Sequence, residues 1–143
     1  HGDSEVLTWS LATVGAVPLE EFCCENRTQV DDEVRRGIDH RVRDAAYSII
    51  AGKGATYYGI GAALARIVEV ILYNQRSILT VCTAVSEVAG VSDVTVSLPY
   101  LLGGRGIVSR LPLPLNEEEQ AMLHASATVI RQAVDDLDAE TTR

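Results

Sequence analysis

The sequence is poor in aromatic, lysine and sulfur side chains. Its 143 residues include one Trp, one Phe and one Met, and aromatics make up only 5%. A core must therefore come from aliphatic side chains, which the 47% apolar share supplies. Lysine occurs once, at Lys53, and 12 basic residues stand against 20 acidic ones, a net charge of −8. That balance argues against nucleic acid, whose phosphates need a Lys/Arg-rich face. It argues equally against an anionic membrane surface. A membrane-spanning run is missing too. The best stretch, Gly54 to Tyr73, is interrupted by Arg66 and Glu69, and a span needs about 20 mostly uncharged residues. No signal-peptide pattern is present. The three cysteines, Cys23, Cys24 and Cys82, form no CxxC or Cys/His spacing. They read as free thiols in a reducing cytoplasm, with no metal site.

A glycine fingerprint for a dinucleotide is also lacking. Gly59-Ile60-Gly61 falls within a helical pattern and Gly103 to Gly106 within a hairpin pattern, so both glycine groups read as structural. The length suits one domain spanning residues 1–143. The chain begins with His rather than Met, which suggests processing or a piece of something longer.

What is present has clear periodicity. Residues 1–29 read as extended segments and turns, because Gly15 and Pro18 break their apolar runs. Val30, Val34, Ile38, Val42, Ala45 and Ile49 recur at steps of three and four, which predicts an amphipathic helix ending near Gly52. Residues 53–75 predict a second helix, apolar nearly all round and so buried on most sides. Gly59, Gly61, Ala62 and Ala63 would give it a smooth surface at an interior or subunit boundary. From residue 77 the period changes to two. Leu79 to Val85, Val94 to Leu98 and Ile107 to Leu111 predict an antiparallel meander, with turns at Gly90 to Asp93 and Gly103 to Gly106. Pro112 and Pro114 end the pairing. Asn116 and Glu119 then form a capping box for a last helix. Its expected buried stripe is Met122, Leu123, Ser126, Ile130, Ala133, Val134 and Leu137. Strands grouped together rather than interleaved with helices indicate an α+β fold.

Chemistry is not obvious from spacing. His40 and His124 read as solvated helix residues, Trp9 as a packing residue, and His1 as unremarkable. No Ser/His/Asp set, metal cluster or carboxylate pair stands out.

Three segments nevertheless resemble one family. HGDSEVLTWSLATVGAVPLEEF, KGATYYGIG (residues 53–61) and DVTVSLPYLLGGRGI (residues 93–107) running into LPLPLNEEEQ are similar, in this order, to the C-terminal half of L-lactate dehydrogenases. The resemblance implies the α+β substrate domain of the lactate/malate dehydrogenase superfamily, with the Rossmann NAD-binding domain absent from this chain. It implies interconversion of L-lactate and pyruvate with NAD, in the cytoplasm. His1, followed by Gly-Asp, matches the histidine that exchanges the hydroxyl proton. Thr56 matches a threonine lining the substrate pocket, and Ile60 an apolar residue against the nicotinamide. If both lie on one helix, their i, i+4 spacing puts them on one face. The family's orienting aspartate and two substrate-reading arginines precede the histidine and so lie outside this chain. Asp3 is not that aspartate.

The wording SEVL after HGD, and Ile60, favour lactate over malate enzymes. L-2-hydroxyisocaproate dehydrogenases remain open as an alternative. The resemblance also implies a homo-oligomer, a dimer or tetramer. A reading from a different class is a non-catalytic oligomerisation domain, inactive when alone.

Overall fold

The computed structural model describes residues 2–141. Two 3-10 turns, Gly2–Ser4 and Trp9–Leu11, lie in the first dozen residues. A short hairpin follows, β1 (Thr13–Val14) with β2 (Val17–Pro18). Next come α1 (Leu19–Asn26), α2 (Asp32–Lys53) and α3 (Tyr58–Leu72). The chain ends with β3 (Ser77–Val88), β4 (Val91–Gly103), β5 (Gly106–Arg110) and α4 (Glu117–Thr141). The sheet is the expected antiparallel meander, in the order β3-β4-β5. The architecture is therefore α+β, with long helices and a C-terminal helix around the three-stranded sheet.

The helices depart from expectation at their ends. Leu19–Asn26 forms a helix where turns and extended chain were expected. Pro18 ends the β2 pairing, Glu20 and Glu21 sit in the first turn, and Arg27 closes the helix at φ 52°. Eight residues are too few to show a periodic stripe. In α2 the Asp31 side chain accepts the Val34 N–H at 2.9 Å, an N-cap that removes one orphan donor. The helix runs through Gly52 and stops at Gly54, whose φ of 82° lets its N–H reach Ile50 O at 2.7 Å. The chain then turns by 119° into α3. Among the described residues, no single helix is long and apolar enough to cross a membrane.

The core lies along β4. Val94, Val96, Leu98, Tyr100 and Leu102 point to one face, with Val70 of α3 and Ala127 of α4 buried against them. Leu79, Val81 and Val85 of β3 add partly buried side chains. The opposite face, carrying Ile78, Thr80, Cys82, Thr95 and Ser97, is exposed. One buried and one open face is the usual habit of an antiparallel sheet. The β3–β4 turn is tighter than expected. It consists of Ala89 and Gly90 alone, both at positive φ (48° and 79°), the geometry of a two-residue hairpin turn. Val91 to Asp93 thus belong to β4. Asp93 also has a positive φ, 50°, and it makes no register pair with Ser86. That irregularity shifts the buried set from even numbers to Val91.

The last helix is capped as expected. Asn116 Oδ1 accepts the Glu119 N–H at 2.8 Å, and the Asn116 N–H reaches Glu119 Oε2 at 3.3 Å. Its stripe keeps Leu123, Ser126, Ile130 and Val134 partly buried, as expected, but is shorter. Glu119 and Ala127 are the buried residues, while Met122, Ala133 and Leu137 are exposed. His124 is exposed, as expected, and its Nδ1 also bonds Ala89 O at 2.8 Å. Arg131 donates to Asp93 O at 2.6 Å. Both contacts tie α4 to the end of the β3–β4 hairpin.

The largest departure concerns α3, which was expected to be buried on most sides. Only Val70 is buried. Tyr58, Leu64, Val68 and Leu72 are exposed, and Ile60 is 61% exposed. A sheet of three strands is too small to cover this helix, so only its C-terminal part docks. Apolar surface of this extent marks a contact with another element or chain.

Candidate functional site

Residues 2–12 form a strap held between two helices. On α2 the holding residues are Arg35, Asp39, Arg43 and Tyr47, each four positions after the last, which places them along one face. The Tyr47 hydroxyl donates to Asp3 Oδ1 at 2.8 Å. Arg43 Nη2 donates to Glu5 O at 3.2 Å. The Trp9 indole N–H donates to Asp39 Oδ1 at 2.9 Å, and the Arg35 guanidinium stands 5.7 Å from the Trp9 ring. On α4 the holding residues are Glu119 and Ser126, two turns apart on one face. Ser126 and Ser4 share a hydroxyl hydrogen bond of 3.0 Å. Glu119 Oε1 accepts the Ser10 N–H at 2.8 Å, and Oε2 accepts the Ser10 hydroxyl.

The electrostatics of the strap follow from these contacts. The Asp3 carboxylate, accepting the Tyr47 hydrogen, holds that phenol above its ordinary pKa. Burial pushes Glu119 upward, but hydrogen bonds from the Ser10 hydroxyl, the Ser10 N–H and the Asn116 N–H outweigh it. The result is a carboxylate below its usual range, ionised although it is only 3% exposed. A cavity of about 870 Å³ opens beside Glu5, Val6 and Thr8, bounded by the sheet and α4. The strap is thus held largely by polar contacts, not by close packing on both sides.

His1 lies outside the described residues and directly precedes the strap in sequence. Thr56 and Ile60 lie apart from the strap in sequence, at the junction of α2 and α3. Thr56 is exposed in the connection before α3, and Ile60 sits in the first turn of that helix. They do not share a helical turn, because the helix starts with the Gly61 N–H bonded to Tyr57 O at 2.9 Å. Lys53 steadies this junction, with its ammonium 4.9 Å from the Tyr57 ring and 4.4 Å from the Tyr58 ring. The exposed Thr56 hydroxyl and Ile60 side chain offer one polar and one apolar contact to a ligand from outside. Among the described residues no group of three or more His, Cys, Asp or Glu could hold a metal.

Sequence reasoning overlooked the strap. It treated Trp9 as a packing residue and drew nothing from the polar residues of α2. The i+4 series Arg35, Asp39, Arg43, Tyr47 was the available signal. A polar stripe that regular can face a partner segment as well as water.

The fold and the strap define a class: an α+β domain with a pinned N-terminal segment and apolar helices left open for a further element. Comparison with known proteins makes this specific. The sequence profile described as lactate/malate dehydrogenase, alpha/beta C-terminal domain, matches residues 1–141. The chain therefore belongs to the lactate/malate dehydrogenase family, as its C-terminal domain. It is 51% identical over 138 residues to an L-lactate dehydrogenase of Geotalea daltonii, covering 96% of this chain and 44% of that protein. It is 50% identical over 133 residues to one of Thermus aquaticus, covering 93% of this chain and 43% of that protein. Among solved structures it resembles a lactate dehydrogenase from a Medee basin deep-sea metagenome library. That match has a TM-score of 0.89 and 40% identity, and covers 96% of this chain and 44% of the other. A ligand-bound minor L-lactate dehydrogenase of Enterococcus mundtii matches with a TM-score of 0.86 and 34% identity, over 95% of this chain and 43% of the other. The chain thus spans less than half the length of these relatives.

Proposed function

We propose that this chain is the substrate-side half of an NAD-dependent L-lactate dehydrogenase, an oxidoreductase interconverting L-lactate and pyruvate. The observation that carries the reading is identity of about half to relatives named L-lactate dehydrogenase, spread over nearly the whole chain. The nucleotide-binding half precedes His1 in the complete enzyme, which works in the cytoplasm, in the fermentation of pyruvate.

His1 takes the hydroxyl proton of lactate and returns it to pyruvate in reverse. An imidazole suits both directions, because its ordinary pKa of about 6.5 lets it carry or release a proton near neutrality. Thr56 offers its hydroxyl to the substrate. Ile60 offers an apolar wall to the nicotinamide, and its exposed position in the first turn of α3 fits an apolar ring arriving from another domain. NAD, when bound, supplies the acceptor for the hydride that leaves C2. The uncovered apolar face of α3 supports a homo-oligomer of the complete enzyme.

The test has two arms. The purified chain with lactate and NAD forms no NADH. The complete enzyme does so, with lactate preferred to malate, and His1→Gln lowers its kcat by about 10²–10⁴-fold. Turnover by the isolated chain, or full activity of the His1 variant, refutes the reading.

A further inference from the structure

Glu119 makes contacts that helix capping does not explain. For its part in a capping box, the N3 side chain need only accept a hydrogen bond from the N-cap N–H. Here that bond, from the Asn116 N–H, is the longest of the three the carboxylate accepts, at 3.3 Å. The two shorter ones come from Ser10, 109 positions away in the chain. Glu119 is also buried, and burying a carboxylate is costly unless strong donors meet it. Ser10 supplies two donors through one residue, which fixes the carboxylate plane and the strap backbone together.

The position of this clamp matters because of what the strap lacks. The cavity beside Glu5, Val6 and Thr8 leaves the middle of the strap without a packed bed. Its course is set at a few polar points, and Glu119 is the most buried side chain among them. The strap begins directly after His1.

We propose that Glu119 is a positioning residue. By clamping Ser10 onto the N-terminus of α4, it fixes the strap that continues in sequence from His1, the group proposed to transfer the proton. The inference rests on the reading of His1 as the proton-transfer group.

Trp9, the only tryptophan of these 143 residues, adjoins Ser10, and subtracting the signal of a Trp9→Phe variant isolates its report on the strap in the complete enzyme. The test compares the complete enzyme with its Ser10→Ala, Glu119→Gln and double variants. Gln is also competent in a capping box, and Ser10→Ala leaves the box untouched, so folding is preserved. Circular dichroism checks this. Each single variant should raise acrylamide quenching of Trp9 about twofold or more, and the double variant no further than the larger single change. In the same proteins kcat should fall between about tenfold and about a hundredfold, with the KM for NAD unchanged. Additive effects of the two substitutions would mean that Glu119 acts only as a cap, and overturn the proposal. Unchanged Trp9 quenching would overturn it too. A Trp9 change with unchanged kcat would leave the clamp but remove its catalytic role, which likewise overturns it. Failure of the unaltered enzyme to turn over lactate would instead refute the functional reading, and the Trp9 measurement would still judge the clamp.

Discussion

Replacing Val70 by alanine tests how α3 is held. Val70 is 0% exposed and is the only buried residue of that helix. The change removes two carbon groups worth about 0.8 kcal/mol each, or about 1.6 kcal/mol of transfer energy. A residual cavity of roughly 40 Å³ at about 24 cal/mol per Å³ adds about 1 kcal/mol. The expected loss is therefore about 2–3 kcal/mol. Val68→Ala is the control, since Val68 is 51% exposed. It forfeits about half the transfer term and regains a few tenths through the better helix propensity of alanine, leaving a net change below about 0.5 kcal/mol. Urea unfolding of the purified chain, followed by Trp9 fluorescence and circular dichroism together, measures both. With an m-value of about 1.5 kcal/mol/M, Val70→Ala lowers the midpoint by about 1.5 M and Val68→Ala by about 0.3 M or less. Measuring at two protein concentrations separates docking within the chain from self-association, because only the latter depends on concentration. Equal shifts for the two variants at low concentration would show that α3 is not anchored through Val70, and would refute the reasoning.

Three further outcomes are expected. Glu119 has a folded pKa below its unfolded value of about 4.3, so its stabilisation is complete above that pH and disappears as pH falls through the folded value. Urea midpoints between pH 6 and pH 3 should show this acid loss, and Glu119→Gln should flatten it; an equally steep loss in the variant contradicts the assignment. Ala16 is exposed at φ 70° in the β1–β2 turn, so Ala16→Gly should stabilise the chain by up to about 1 kcal/mol, and a lower melting temperature would contradict the turn geometry. The open face of α3 predicts that Leu64→Glu, at an exposed position, weakens self-association of the complete enzyme, and sedimentation with no change in mass or affinity would contradict that face as a contact.

Features set by near neighbours in sequence were legible in advance. The capping box of Asn116 and Glu119, the meander of β3 to β5 and the amphipathic run of α2 each depend on residues within a few positions of one another. The same holds for the segments resembling lactate dehydrogenases, which led to the family. Features set by distant partners were not legible. The helix Leu19–Asn26 is too short to display a stripe. The boundary at Gly54 rather than Gly52 was decided by which glycine adopts positive φ. Thr56 looked like part of a helix with Ile60, but the turn between α2 and α3 leaves it outside.

The sequence by itself determined the type and order of most elements, the α+β class and the family. Hydrophobic period, caps and turn residues act over short distances, and burial rewards them wherever the chain folds. The tertiary structure alone decided what each face meets. An apolar helix reads as buried until a sheet of three strands proves too small to cover it. A buried glutamate reads as a cap until Ser10, far away in sequence, arrives with two donors. The i+4 series Arg35, Asp39, Arg43 and Tyr47 of α2 shows no partner in the sequence until the strap lies along it. Periodicity states which side chains share a face, and only the packing of the whole chain states what that face touches.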